Sequence, residues 1–197
     1  MRFWANWNHF DEHSQQAPVF LYLCGMLTCD EPDERLYWTE VGRQNNALLL
    51  SFEHRYYGDS HPYPDLSVQH LRHLTIKQAL GDINVLIDVM NEYLKYRADW
   101  IIIGSGYGGA LAAWFKQDYE QKALGAWSSS GTINAIKEFG MLDLNTYLRT
   151  EYSNDRERLV VGTGQGCSDA VKRAIDFVDD KLLTPDGKEF LKAQFGV

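Results

Sequence analysis

The sequence has no long apolar run and no basic cluster, and these absences exclude several classes of protein. No stretch of its 197 residues approaches the ~20 consecutive apolar residues of a membrane-spanning helix. Residues 1–7 lack the basic and then apolar segments of a signal peptide. With 19 Lys and Arg against 27 Asp and Glu, no nucleic-acid surface is predicted. Proline is scarce, with 5 residues, and a hydrophobic content of 45% is typical of a folded globular chain.

Cysteine is scarce as well, and its count of three is odd. Cys24 and Cys29 are too few for a zinc site and have the wrong spacing for a redox Cys-x-x-Cys pair. We therefore expect buried or free thiols. A bridge from Cys167 to another cysteine outside the sequence is the alternative.

Four short apolar runs, at 19–23, 47–52, 100–103 and 124–128, are predicted to be strands. The runs are continuous rather than alternating, which is typical of strands covered on both faces. Helical patterns at about 76–97 and 110–119 lie between them, and residues 1–17 are predicted to be a loop. This alternation predicts an α/β fold with a parallel sheet over residues 1–130.

Beyond residue 130 the pattern changes. Residues 131–166 are polar, and Ser168 is predicted to cap a helix that is followed by another at 188–195. Residues 131–197 are therefore predicted to be the beginning of an all-helical region.

The glycine-rich turn after the third predicted strand has two interpretations. Gly104, Gly106 and Gly109 satisfy the Gly-x-Gly-x-x-Gly pattern that lets a dinucleotide pyrophosphate approach a helix N-terminus. That chemistry also needs an acidic residue at the end of the next strand, where this sequence has Ser128, Ser129 and Ser130. The context therefore does not favour a dinucleotide site.

The second interpretation is the nucleophile elbow of an α/β-hydrolase, in which small residues lie two positions on either side of the nucleophile. Gly104 and Gly108 supply the small neighbours, but the central residue is Gly106. Ser105 is one position early, and a frame centred on it would place bulky Ile103 and Tyr107 where small residues are needed. The elbow is therefore predicted to lack its hydroxyl.

Several further segments resemble the serine carboxypeptidase family that contains lysosomal prolyl carboxypeptidase, dipeptidyl peptidase II and thymus-specific serine protease. The resembling segments are Glu53-His54-Arg55-Tyr56-Tyr57-Gly58-x-Ser60, Leu71-Arg72-x-Leu74 with Gln78-Ala79-Leu80-x-Asp82, Trp100-Ile101 leading into the turn, and Leu111-Ala112-Ala113-Trp114-Phe115. Residues 18–25 resemble the family's first core strand and glycine loop, and Cys167-Ser168-x-Ala170 resembles the start of a helix in its inserted helical domain. The resemblance implies an α/β-hydrolase core over 1–130 and an incomplete helical cap over 131–197.

The resemblance also implies a function. Members are serine exopeptidases that cleave next to proline or release dipeptides, with a Ser, an Asp and a His in that chain order. By position the nucleophile falls on Gly106, Tyr107 supplies one oxyanion N–H, and the loop at Gly25 supplies another. Ser105 is the substitute nucleophile to consider. The family's Asp and His are expected beyond residue 197, so we expect a truncated and inactive member, or alternatively a pseudoenzyme that binds peptides or a paralogue.

The resemblance implies no cofactor or metal, and peptides as the ligands. His54 is expected to lie in a buried polar network, whereas His70 and His73, spaced by three residues, lack a third metal ligand nearby. The family implies a secreted or lysosomal protein and a cysteine partner for Cys167. Oligomeric state does not follow from the sequence, although an unfinished sheet edge predicts aggregation or pairing with a partner.

Overall fold

The computed structural model describes residues 1–11, 13–14, 16–137, 139–140 and 165–196. The chain divides into two compact units, Met1–Ala135 and Ile136–Val197. Most of the polar stretch 131–166 lies outside the described residues.

The first unit is built on a five-stranded sheet in the order β1-β3-β2-β4-β5. Its strands are β1 (Phe3–Asn6), β2 (Val19–Leu23), β3 (Leu48–Phe52), β4 (Trp100–Ser105) and β5 (Gly125–Ser129). Strands β2 to β5 are parallel, which confirms the predicted α/β fold. β1 pairs antiparallel with β3, so the prediction of a loop over residues 1–17 was wrong for these four residues.

The strands were predicted to be buried on both faces. This prediction is confirmed in the centre of the sheet and is wrong at its edge. All five residues of β3 are buried, as expected for a central parallel strand. In β5, no residue is fully buried, and Ala126 and Ser129 are exposed. β5 pairs only with β4 among the described strands, and this edge position explains why its two faces are partly open.

Four helices accompany the sheet: α1 (Tyr37–Gln44), α2 (Val68–Leu71), α3 (Ile76–Leu94) and α4 (Tyr107–Asp118). The hydroxyl of Thr75 caps α3 by accepting a hydrogen bond from the Gln78 N–H. The predicted helix continued to 97, but α3 ends earlier because Lys95 adopts the left-handed conformation (φ 61°). α1 was not predicted, since it is short and buries only Trp38, Thr39 and Gly42, of which one alone is a large apolar residue.

Each face of the sheet carries its own hydrophobic core. The larger core joins Leu21, Leu50 and Ile102 to Ile83 of α3 and Phe115 of α4. The smaller core, on the opposite face, contains Phe20, Trp38, Leu49 and Ile103. The sheet is therefore buried between helices over its central strands, which fixes the carboxyl ends of β2 and β4 beside each other.

Cys24 and Cys29 form a disulfide with a Cα–Cα distance of 5.6 Å, so the expectation of free thiols was wrong. The chain turns back after β2, where the Leu27 N–H donates to the Cys24 carbonyl and Gly25 is left-handed (φ 61°). This turn brings together two cysteines that are five residues apart. The spacing alone did not reveal the turn.

The second unit contains α5 (Gln165–Leu182) and α6 (Pro185–Phe195). Ser168, predicted as the cap of the first helix, lies inside α5. Thr184 caps α6, with Pro185 as its first residue, and left-handed Gly196 ends it. Phe177 and Phe190 pack edge to face at 6.2 Å, with the Lys181 ammonium 5.4 Å from each ring.

Among the described residues, no helix combines the length and apolar character needed to cross a membrane.

Candidate functional site

A single residue, Gly106, separates β4 from α4. Its backbone angles are φ 56° and ψ −123°, a conformation that L side chains rarely adopt. The Gly106 N–H donates to the Ser129 carbonyl of β5 at 2.9 Å, and the Gly106 carbonyl accepts from the Ala110 N–H at 3.0 Å. The strand therefore turns into the helix through a sharp corner whose backbone hydrogen bonds are satisfied.

The glycines on either side of Gly106 are required by close backbone packing. A Cβ on Gly104 would lie 2.2 Å from the Gly108 carbonyl carbon, and a Cβ on Gly108 would lie 2.3 Å from the Leu23 carbonyl oxygen. At Gly106 itself, an added Cβ would meet no atom of the described residues within 4 Å. The corner therefore has the shape of an elbow that presents its tip residue to open space, although the tip carries no side chain.

Gly25 and Tyr107, the predicted oxyanion donors, lie at the same corner. A Cβ on Gly25 would lie 2.9 Å from the Gly108 backbone nitrogen, so the loop after β2 contacts the first turn of α4. Tyr107 is the first residue of α4, and the first N–H groups of a helix have no acceptor within the helix. The positive end of the helix dipole adds to the attraction for a carbonyl oxygen or an anion.

Ser105 is the last residue of β4 and pairs with Ser129 of β5 in the parallel register. It is exposed, but it belongs to the strand rather than to the tip. Alternation along the strand places Ser105 on the same face as Ile101 and Ile103, away from the larger core that contains Ile102. Its role as a substitute nucleophile remains a prediction.

His54 lies beside Tyr107 in a buried network, as expected. Its side chain is 6% exposed, with Nδ1 2.7 Å from the Arg55 carbonyl and Nε2 3.1 Å from the Tyr107 hydroxyl. Burial lowers the pKa of His54 below its ordinary value, opposed in part by the hydrogen bond to the Arg55 carbonyl. Burial also raises the pKa of the Tyr107 phenol, so both groups are neutral at pH 7.

Arg55 fastens this loop to α3. Its Nε and Nη2 atoms donate to the two carboxylate oxygens of Asp82 at 2.6 Å each, and Nη1 donates to the His73 carbonyl at 2.9 Å and to the Gln78 side chain. Both side chains of the Arg55–Asp82 pair are mostly buried, at 14% and 15% exposure. Such a bidentate pair fixes direction as well as distance.

The buried carboxylate of Glu53 organises the adjoining turn. It accepts hydrogen bonds from the Cys29 N–H, the Asp59 N–H and the Ser60 hydroxyl, at 3.3, 3.2 and 2.6 Å. A Cβ on left-handed Gly58 would lie 1.8 Å from a Glu53 carboxylate oxygen. The spacing of Glu53, Gly58 and Ser60 is therefore explained by this turn.

His70 and His73 lie away from this corner and stack on Tyr63 at ring distances of 4.2 and 5.7 Å. His70 also contacts Asp65 at 2.9 Å. Among the described residues, no group of three or more His, Cys, Asp or Glu side chains is arranged to hold a metal ion.

The geometry also bears on the dinucleotide interpretation. Gly106 N–H, a backbone donor that a pyrophosphate would use, is already bonded to the Ser129 carbonyl. β5 ends at Ser129 without an acidic residue. Close packing alone accounts for two glycines of the pattern: a Cβ on Gly104 would lie 2.2 Å from the Gly108 carbonyl carbon, and a Cβ on Gly109 would lie 2.8 Å from the Ser129 carbonyl oxygen.

Comparison with known proteins gives a consistent result. The chain matches the family model described as Serine carboxypeptidase S28 over residues 1–197. It is 33% identical over 161 residues to a candidate serine protease of Caenorhabditis elegans, covering 81% of this chain and 28% of that protein. It is 31% identical over 157 residues to the human lysosomal Pro-X carboxypeptidase, covering 77% of this chain and 30% of that protein. The chain thus spans less than a third of the length of these relatives.

Among solved structures, it is similar to a thioesterase domain from the curacin biosynthetic pathway, with 19% identity and a TM-score of 0.45, over 70% of this chain and 44% of that one. The family match extends over the whole sequence, including the corner at Gly106. The chain therefore belongs to the serine carboxypeptidase S28 family of peptidases.

Proposed function

We propose that this chain is a non-catalytic family member that binds peptides at the β4–α4 corner without cleaving them. The observation that carries the proposal is Gly106 at the tip of the corner, in the backbone conformation of an elbow but without a nucleophile. Covalent catalysis by a serine peptidase needs a hydroxyl at that tip. What the corner retains is its shape and the N–H groups at the start of α4, which have no acceptor within the helix.

The ligand class follows from the backbone donors and from the relatives. An N–H at a helix N-terminus binds a peptide carbonyl or a C-terminal carboxylate. The name of the human relative, a Pro-X carboxypeptidase, supports peptides that contain proline as the ligands.

The compartment is part of the proposal. Disulfides persist in oxidising environments such as the cell exterior and are rare in the cytosol. The Cys24–Cys29 bond supports a secreted or lysosomal location, the compartments implied by the family resemblance.

The absence of catalysis is tested with a fluorophosphonate probe, which labels activated serine hydroxyls. We expect no covalent mass increase on the purified chain after incubation with the probe. The Ser105→Ala variant is the matched control, since it removes the serine nearest to the tip. A probe adduct mapped to Ser105 in the native chain, and lost in this variant, contradicts the proposal.

Peptide binding is tested by fluorescence anisotropy with a dye-labelled hexapeptide that contains proline. Tyr107→Pro removes the first N–H of α4 at a helix position that tolerates proline, whereas Tyr107→Ala keeps this N–H. We expect saturable binding to the native chain, and about fivefold weaker binding to Tyr107→Pro than to Tyr107→Ala, the typical value of one hydrogen bond. Equal affinities for the two variants would exclude this N–H as a ligand contact.

A further inference from the structure

The orientation of the His54 ring is determined by its two hydrogen bonds. The Arg55 carbonyl accepts only, so the His54 Nδ1 atom, 2.7 Å away, carries the proton. Nε2 is then an acceptor for the Tyr107 hydroxyl at 3.1 Å. The ring lies between two tyrosines, with centroid distances of 5.3 Å to Tyr107 and 5.2 Å to Tyr57.

A network of hydrogen bonds holds the residue that accepts from His54. The Arg55 residue whose carbonyl holds Nδ1 is itself held by Asp82 and by the His73 carbonyl. These contacts join the loop after β3 to α3. His54 therefore presents its Nε2 atom from a fixed position.

The hydroxyl held by His54 belongs to the first residue of α4. The contact joins residues 53 positions apart. It links the loop after β3 to Tyr107, the residue that follows the elbow tip. An anchored side chain restricts the motion of its own backbone and so lowers the entropy lost when a ligand binds.

We propose that His54 is a positioning residue that holds Tyr107 through the Nε2···Oη hydrogen bond and thereby orients the Tyr107 N–H toward a bound peptide carbonyl. The proposal rests on the peptide-binding function proposed above. In this role His54 transfers no proton. It contributes to the affinity for the peptide and not only to the stability of the fold.

The test uses two amide variants that imitate different ring nitrogens. His54→Gln places a polar group near the position of Nε2 and can still accept from Tyr107, whereas His54→Asn imitates Nδ1 and cannot reach the Tyr107 hydroxyl. We expect the proline-containing hexapeptide to bind His54→Asn about three- to tenfold more weakly than the native chain, and His54→Gln within about twofold. Equal losses in the two variants would overturn the proposal.

Tyr107→Phe removes the same hydrogen bond from the other side. If the two residues act through one bond, the double variant His54→Asn/Tyr107→Phe binds no more weakly than either single variant. Additive losses would show that the residues act independently and would overturn the proposal.

A measurement without peptide separates this proposal from the proposed function. Three-bond NMR couplings report whether the Tyr107 side chain occupies one χ1 rotamer or several. We expect one rotamer in the native chain and in His54→Gln, and averaging in His54→Asn and Tyr107→Phe. A single rotamer in all four proteins would overturn the positioning role, whatever the peptide result. Failure of the native chain to bind peptide, with the expected rotamer pattern, would instead reject the peptide-binding function alone.

Discussion

Gly106 combines a backbone conformation suited to glycine with space for a larger residue. Its φ of 56° and ψ of −123° are strained for any residue with a Cβ, and yet no atom in the described part of the chain lies within 4 Å of a Cβ built there. The Cβ of a serine at this position would therefore meet backbone strain but no clash with the residues that the structure describes. The corner does not depend on a side chain at its tip for its shape, because its backbone is held by Ser129 and Ala110.

The first prediction concerns the stability cost of a side chain at this tip. Gly106→Ser and Gly106→Ala should each lower the free energy of unfolding by about 1–3 kcal/mol, because both place a Cβ on a left-handed backbone. The loss should be nearly equal in the two variants, since neither side chain meets a neighbour. Urea unfolding followed by circular dichroism measures both. A loss in Gly106→Ser much larger than in Gly106→Ala would show a contact that the structure does not contain.

The second prediction follows from the lowered pKa of His54. An unfolded histidine titrates near pH 6.5, so below that pH the unfolded state binds a proton while buried His54 remains neutral. The free energy of unfolding should therefore fall as the pH drops from about 6.5 to the folded pKa, with no contribution above that window. Urea unfolding at several pH values gives this free energy at each pH. Between about pH 6.5 and the folded pKa, it should depend less steeply on pH in His54→Gln than in the native chain. The same pH dependence in both proteins over this range would contradict the assignment of the effect to His54.

Asp33 and Glu40, whose pKa values are lowered, titrate in a different window and do not obscure this effect. The hydrogen bond from Arg35 lowers the pKa of Asp33 to about 2, and the hydrogen bond from Arg43 lowers that of Glu40 to about 2. Groups with lowered pKa values stabilise the fold above their unfolded pKa and lose this contribution as the pH falls toward 2. Their effect therefore begins below about pH 4.5.

At the scale of elements, the site depends on how closely β4, α4 and the loop after β2 approach one another. Gly104, Gly108 and Gly25 have backbone atoms as their nearest neighbours, and backbone cannot move aside as a side chain can. The sequence indicated Gly104 and Gly108 through the elbow pattern, and Gly25 through the resemblance to the family's glycine loop. It did not identify Leu23, whose carbonyl faces Gly108, because that contact joins residues far apart in the chain.

The third prediction compares two glycines of the same unit. Gly104→Ala places a methyl group 2.2 Å from the Gly108 carbonyl carbon and should lower the free energy of unfolding by about 3 kcal/mol. Gly81→Ala adds a methyl group inside α3 with no atom of the described residues within 4 Å, and it should raise the free energy of unfolding by about 0.5–1 kcal/mol. Denaturant unfolding of the two variants under one set of conditions gives the comparison. A Gly104→Ala protein as stable as the native chain would contradict the close approach of β4 and α4.

At the scale of the whole molecule, the sheet presents an open edge at β5 among the described strands. An edge strand offers unpaired N–H and C=O groups to other chains. Ala126 and Leu124, both exposed at this edge, carry no charge to prevent such pairing. The net charge of −8 opposes association in general but does not protect this edge in particular.

The fourth prediction tests pairing at that edge. Ala126→Lys should reduce concentration-dependent self-association of the purified chain, because a lysine on an edge strand discourages pairing. Val85→Lys is the matched control, since it adds the same charge at an exposed position of α3. Sedimentation velocity over a range of concentrations measures both. Equal reductions in the two variants would indicate a general charge effect rather than pairing at β5.

The sequence by itself determined the family, the α/β alternation and the absence of a hydroxyl at the elbow. These properties depend on local patterns, such as the continuous apolar runs of β2 to β4 and the glycine spacing from 104 to 108, which are legible along the chain. β1 was not predicted because its four residues are stabilised by pairing with β3, at separations of 43 to 49 positions. α1 was not predicted because few of its residues are apolar and buried.

Only the tertiary structure decided the contacts that organise the candidate site. The Cys24–Cys29 bond depends on a turn after β2, and the His54–Tyr107 hydrogen bond joins residues 53 positions apart. Sequence periodicity reports which face of an element is buried, but it does not report which side chains from distant elements meet. Those contacts are determined by the strand order and by the close approach of the β4–α4 corner to the loop after β2.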